Sequence, residues 1–224
     1  IDDKKEGISA QLRIVDFHPS VNGYPRSGSL TDDFASHHMD IPGKVSGTVT
    51  IKGKTYNVKA LGVRDRGWGA RDWSTLLSHR WVAGTVGPDL SFVVLSWHAA
   101  NDSMAKFAWV VKNDTLIYAK EVDIVAYVEC DAISMRGGHV KLVLADGDKL
   151  DMEFTAVAPG VVSFHHNIAC TDTMCRVVCT TPDGTAREGI ADFETTGNLQ
   201  AGKRRPAKLM TAVINDGFFP AGKE

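Results

Sequence analysis

Along most of this 224-residue chain, apolar and polar residues alternate with a period of two, interrupted by short turn-forming dipeptides. A period of two sends successive side chains to opposite faces of an extended backbone, so the pattern predicts β-strands. Residues 45–51 and 54–63 flank Lys52-Gly53, and residues 105–111 and 115–120 flank Asn113-Asp114. Residues 139–144 and 149–154 flank Asp146-Gly147, and residues 174–181 and 185–193 flank Pro182-Asp183-Gly184. Each pair reads as a hairpin, because Gly and Asn accept the positive φ that tight hairpin turns require. Further strand-like runs cover 8–17, 80–86, 90–98, 123–129 and 161–168. Helical signal is scarce. Residues 71–78 predict one turn, residues 205–214 a short helix, and the aperiodic segment 19–44 a long loop.

Strands at this spacing indicate an all-β barrel or sandwich. In the 90–98 run, Phe92, Val94, Ser96 and His98 share one face and Val93, Leu95 and Trp97 the other. Both faces are largely apolar, so both must be covered. A ligand-filled barrel interior and a second domain would cover them; so would a packed core and a domain interface. A domain boundary is expected at about 70–79.

Composition narrows the partners. With 43% hydrophobic and 23% charged residues, a net charge of −2 and no basic stripe, the chain is not built to bind nucleic acid. Lys203-Arg204-Arg205 reads as a solvated loop. No apolar run approaches the roughly 20 residues of a spanning helix, and Ile1–Glu6 holds no signal-peptide core. A cytoplasmic protein that is not transmembrane is therefore expected. The opening residues also predict an incomplete first domain, with a homo-oligomer or a preceding segment as candidate partners. Cys130, Cys170, Cys175 and Cys179 lack zinc-site spacing and read as reduced thiols.

The chemistry concentrates in residues 62–73. Arg64, Asp65, Arg66, Arg71 and Asp72 stand beside Trp68 and Trp73, with Gly67 and Gly69 between them. Glycines here predict a tight irregular turn, and three guanidiniums with two carboxylates suit bidentate ion pairs. Two readings stay open. The pairs clamp a domain junction, or one carboxylate is left with a perturbed pKa as a general acid or base. His79, Trp81 and His98 follow closely and add proton carriers and an aromatic wall.

Other constellations carry less. Gly197–Lys203 has P-loop spacing, but Arg204 stands where Ser or Thr should be. His165 and His166, adjacent on a strand, point to opposite faces. His37-His38 with Asp40 and Asp32-Asp33 has donors for a metal but unspecific spacing, so no metal site is expected.

The run Val45–Trp73, VSGTVTIKGKTYNVKALGVRDRGWGARDW, resembles the junction segment of the carotenoid 1,2-hydratase (hydroxyneurosporene synthase)-like proteins. There a strand pair ending in Gly-x-Gly leads into an Arg-Asp-His-Ser-Trp-Gly-x-Arg-like turn. Arg64, Asp65, Trp68, Gly69, Arg71 and Asp72 match, Gly62 matches one glycine, and Arg66-Gly67 replace the usual His-Ser. His37-His38 resembles the family's histidine upstream of the strand pair. The resemblance implies lipocalin-like antiparallel β-barrels in two tandem domains: part of the first over 1–74, including the junction motif, and the second over 75–224. It also implies hydratase- or cyclase-like chemistry on isoprenoid or polycyclic substrates.

Together these readings predict an enzyme that needs no cofactor and acts on an apolar small molecule by acid–base chemistry. Asp65 is the expected acid or base and Asp72 the second candidate, with His79 or His98 relaying a proton. Arg64 and Arg71 would set the carboxylate geometry. Trp68, Trp73, Trp81 and Trp97 would line the substrate, their π faces able to stabilise positive charge. The rival expectation is a non-catalytic lipocalin-like carrier using the same apolar space, and a third is a motif that only joins two domains.

Overall fold

The computed structural model describes residues 1–21, 37–69, 72–100, 103–129, 134–165, 168–198 and 213–215, excepting the side chains of His37, His165 and 213–215. The strands are β1 (Asp2–Asp3), β2 (Ile8–Asp16), β3 (His37–Ile51), β4 (Lys54–Trp68), β5 (Leu76–Thr85), β6 (Leu90–Ala99) and β7 (Met104–Lys112). They continue as β8 (Thr115–Val128), β9 (Met135–Leu144), β10 (Lys149–Ala156), β11 (Val161–His165), β12 (Ile168–Thr180), β13 (Ala186–Asn198) and β14 (Val213–Asn215). One 3-10 turn, Trp73–Thr75, lies between β4 and β5.

Strands β5 to β10 form a meander, β13 joins β5 to β12, and β10 pairs with β12. Eight strands (β5–β10, β12 and β13) thereby close into an antiparallel barrel with no open edge. The predicted hairpins are present, and their turns use positive φ at Lys52, Gly53, Asn113, Asp114, Gly147 and Gly184. The runs 115–120 and 123–129 fuse into β8, and the run 161–168 divides between β11 and β12. Instead of a helix, Val213–Asn215 pairs with Tyr127–Val125 of β8; the rest of 205–214 lies outside the described residues.

Inside the barrel, Phe154 meets Phe92 and Phe193 edge-on, at centroid distances of 6.1 and 5.4 Å. Leu142, Met152, Val177 and Val94 complete this layer, so the inner face of β6 abuts a packed core. The outer face is apolar too. Trp81, Val93, Leu95, Trp97 and Trp109 are buried there, with Val63 and Trp73 packed against them. Strands β5 and β6 are therefore covered on both sides, as the two-faced pattern of 90–98 requires.

Strands β1–β4 form a separate four-stranded sheet. His37–Lys44, expected to be loop, belongs to β3: the register from Ile51↔Lys54 to His37↔Trp68 extends the hairpin through the charged motif. Residues 22–36 of the expected loop lie outside the described residues. On one face of this sheet Ile8, Leu12, Ile51 and Tyr56 stay 38%, 50%, 44% and 45% exposed. Among the described residues, no helix is long and apolar enough to cross a membrane.

Candidate functional site at the junction of sheet and barrel

The motif is not the irregular turn that its glycines predict. Residues up to Trp68 are strand, Gly69, at φ 112°, leaves it, and Asp72 and Trp73 belong to the 3-10 turn. Alternation on β4 separates its charges. Asp65 faces the barrel side, whereas Arg64 points to the other face and pairs with Asp16 at 2.6 Å. The expected ion pairs within the motif do not form among the described residues, because sequence neighbours on a strand cannot face one another. Arg66 lies over the Trp68 ring, 5.5 Å from its centroid, on an exposed surface. Arg71 lies outside the described residues.

Asp65 finds its partner on the adjacent strand. His38 of β3 hydrogen-bonds Asp65 through Nε2, and the same nitrogen lies 3.6 Å from the buried carboxylate of Asp40. The His38 ring stacks on Trp81 of β5, centroids 6.5 Å apart at an interplanar angle of 17°. A histidine–carboxylate pair of the junction sheet thus rests on the outer wall of the barrel.

That wall carries a second pair. His79 hydrogen-bonds Glu194 of β13 through Nε2 and packs against Trp97, centroids 5.9 Å apart. The Thr196 hydroxyl donates to Glu194 Oε1 at 2.5 Å. The register places Asp172 opposite Glu194 and Cys170 opposite Thr196 on β12, and Asp192 shares their face. Burial pushes Asp192 up to about 6, with help from the charges of Asp172, Glu194 and Asp65. Burial and the Glu194 charge raise Asp172 as well. In Glu194 burial also acts upward, but His79 and hydrogen bonds from His79, Thr196 and Cys170 outweigh it and hold the carboxyl below its ordinary range. Desolvation raises Cys170 far above a usual thiol, so it is no ready thiolate.

The donor atoms of His38, Asp40 and Asp65 lie within 4.8 Å of one another, as do those of Cys170, Asp172 and Glu194. Either set has nitrogen, oxygen or sulfur donors close enough to share a divalent cation. The same atoms, linked by hydrogen bonds, also suit proton transfer. Behind this wall Arg80 is 2% exposed, and its Nη1 donates to the carbonyl oxygens of His79 (2.6 Å) and Thr196 (3.4 Å), pinning the backbone of two site residues.

The remaining candidates sit apart. Asp72 is an exposed cap of the 3-10 turn, and hydrogen bonds from the Ser74 hydroxyl and amide hold its carboxyl below the ordinary range. Trp73 is half-buried at the edge of the outer aromatic cluster. His98 alternates onto the inner face of β6, away from Trp97. The structure therefore brings Asp65, His79, Trp81 and Trp97 to one junction, and adds His38, Asp40, Cys170, Asp172, Asp192 and Glu194. Sequence reasoning noted His38 and Asp40 as an unspecific metal set, and His37-His38 as resembling the family's upstream histidine, without assigning either a catalytic role, and it missed the acids of β12 and β13. The available signal was Asp192-x-Glu194-x-Thr196 and Cys170-x-Asp172, polar residues two apart and so on one face of a strand.

A family model described as "Domain of unknown function (DUF7064)" matches residues 2–199. The chain belongs to this family. No curated protein matches it. Among solved structures, kievitone hydratase from Nectria haematococca superposes with a TM-score of 0.56 at 9% identity, over 88% of this chain and 63% of that one. CghA, solved with Sch210972, gives 0.59 at 10% identity, over 89% and 64%. A Nitrosomonas europaea protein assigned as ATTH gives 0.60 at 12% identity, over 86% and 63%. At such identities the likeness is one of fold: lipocalin-like barrel architecture. It agrees at that level with the carotenoid 1,2-hydratase-like resemblance of the motif. The chain spans less than two thirds of the length of these structures.

Proposed function

We propose that this chain acts on an apolar small molecule by acid–base chemistry, as a hydratase- or cyclase-like barrel protein. The observation that carries the reading is the His38–Asp65 pair resting on Trp81, beside the His79–Glu194 pair resting on Trp97. Such a site gives a reacting alkene an acid and a base beside an aromatic wall. In hydration, a carboxylic acid protonates one alkene carbon, leaving a cation on the adjacent carbon, and a water deprotonated by a base adds to it. Asp65 and His38 are the proposed acid–base pair, and His79 is the relay. Asp192, raised to about 6, supplies a second proton near neutral pH. With the barrel interior packed, the junction is the proposed place for the substrate. The hydratase named among the structural neighbours supports the reaction class by analogy of fold alone.

The four-stranded sheet is, on this reading, part of a first lipocalin-like domain over 1–74. Its apolar, solvent-facing residues Ile8, Leu12, Ile51 and Tyr56 have the character of a barrel interior awaiting further strands.

The test offers isoprenoid and polycyclic alkenes to the protein and follows them by mass spectrometry. Gain of one water, or conversion to an isomer, that is lost in folded Asp65→Asn and Asp65→Ala supports the reading. Binding with every ligand returned unchanged establishes the carrier instead.

A further inference from the structure

Arg80 is buried in the barrel without a counterion among the described residues. It stands on the inner face of β5, two residues before the core residue Val82, and is 2% exposed. Its Nη1 donates to the carbonyl oxygens of His79 and Thr196, whereas its Nε is buried with no partner. No described carboxylate forms an ion pair with it. Alternation along the strands explains why. Strands β5, β6 and β7 contain no Asp or Glu, and those of β12 and β13 (Asp172, Glu188, Asp192 and Glu194) all occupy outward positions. A guanidinium desolvated without an opposite charge is costly, so the position asks for an anion.

The residues level with Arg80 are polar. The register places Thr195 beside it on β13 and Ser96 beside it on β6, with Thr171 beyond Thr195 and Lys106 beyond Ser96. Thr171, Thr195 and Ser96 are buried, and Lys106 is half-buried. Lys106 likewise forms no ion pair among the described residues. One row deeper, Phe193, Val82, Val94 and Ala108 belong to the apolar core and close the barrel. One row nearer the barrel end, His98 and Met104 pair across β6 and β7, and both are half-buried. Neighbouring strands lie about 4.8 Å apart, so Arg80 and Lys106, two strands apart, can reach one small anion between them. The layer is cationic and hydroxyl-lined, apolar beneath, and open toward His98 and Met104.

We propose that this layer binds the carboxylate of a small organic acid, on the Nε edge of Arg80 with Lys106 alongside and the body of the acid toward His98 and Met104. A carboxylate matches the one fully buried charge and offers acceptor oxygens to the guanidinium and to the Thr171 and Thr195 hydroxyls. A phosphate dianion would bring a second charge that only the half-solvated Lys106 meets. A neutral molecule would leave Arg80 uncompensated. The site lies inside the barrel, across β5 from His79 and Trp81, so it goes beyond the acid–base reading and stands or falls without it.

The experiment titrates benzoate, benzamide and inorganic phosphate separately into the protein and follows the Arg80 Nε–H and Met104 methyl resonances by NMR. Saturable shifts of both are expected with benzoate, none with benzamide and weaker ones with phosphate. Arg80→Gln, folded by circular dichroism, should weaken benzoate at least about thirtyfold, the loss that truncating one partner of a buried charge pair brings. Lys106→Met, at a half-buried position where the fold is kept, should weaken it at least about threefold, as loss of a partly solvated partner does. Equal binding of benzamide or phosphate, an unchanged affinity in either variant, or an Arg80 Nε–H resonance that benzoate does not move would overturn the proposal.

Discussion

The Nε2 of His38 is hydrogen-bonded to Asp65, across the β3–β4 ladder and 27 positions along the chain. Asp65 is the half-exposed partner and His38 the buried one, so the pair reaches from solvent to the Trp81 face. If it moves the proton, Asp65→Asn keeps the shape and removes the charge, and should lower kcat by about 10²–10⁴. A steady-state assay on whichever alkene is converted checks this, with circular dichroism confirming the fold. Activity retained in both Asp65→Asn and Asp65→Ala would exclude the acid–base role.

Asp192 should make stability depend on pH in the direction opposite to a salt-bridged acid. Its folded pKa of about 6 lies above the ordinary 3.8, so the fold favours the protonated form. The resulting penalty is absent below about pH 4, grows between about pH 4 and pH 6 as the carboxyl ionises in the unfolded chain but stays protonated in the fold, and levels off once the folded state ionises too. Asp192→Asn should therefore be more stable than the parent at pH 7 by about 1–2 kcal/mol, discounted for partial exposure. Urea unfolding at pH 4 and pH 7 should show the difference only at the higher pH.

The Arg64–Asp16 pair, by contrast, should matter little. Its side chains are 38% and 34% exposed, and it lies on the face of β4 away from Asp65. Asp16→Asn should cost less than about 1 kcal/mol and leave any activity intact. A larger loss in denaturant midpoint, or an altered pH–rate profile, would mean that Arg64 tunes the junction after all.

Gly138 on β9 tests the packed interior. A Cβ there would meet Phe193 Cε1 at 2.4 Å and the Val125 carbonyl oxygen at 2.4 Å. Gly138→Ala should destabilise the barrel by about 1–3 kcal/mol through overpacking, seen as a lower Tm. An unchanged Tm would show that the interior has room to spare.

The strands and hairpins were legible in the sequence because alternation and turn chemistry are local: they depend on residues two to four apart. So was the need to cover both faces of β6, since Val93, Leu95 and Trp97 are as apolar as Phe92 and Val94. The charged motif was misjudged at the same level. Arg64, Asp65, Arg66 and Asp72 invite one another as neighbours, but β4 continues to Trp68 and turns adjacent side chains to opposite faces. Which histidine meets which carboxylate was decided by tertiary structure alone. His79 and Glu194 are 115 positions apart and become neighbours only because β13 closes the barrel against β5. The charges of Glu194 and Asp65 raise Asp172, and with that of Asp172 they raise Asp192, only because the fold brings these carboxylates to one barrel wall. A sequence specifies the groups; desolvation and closure, which are properties of the whole fold, set their charge and their partners.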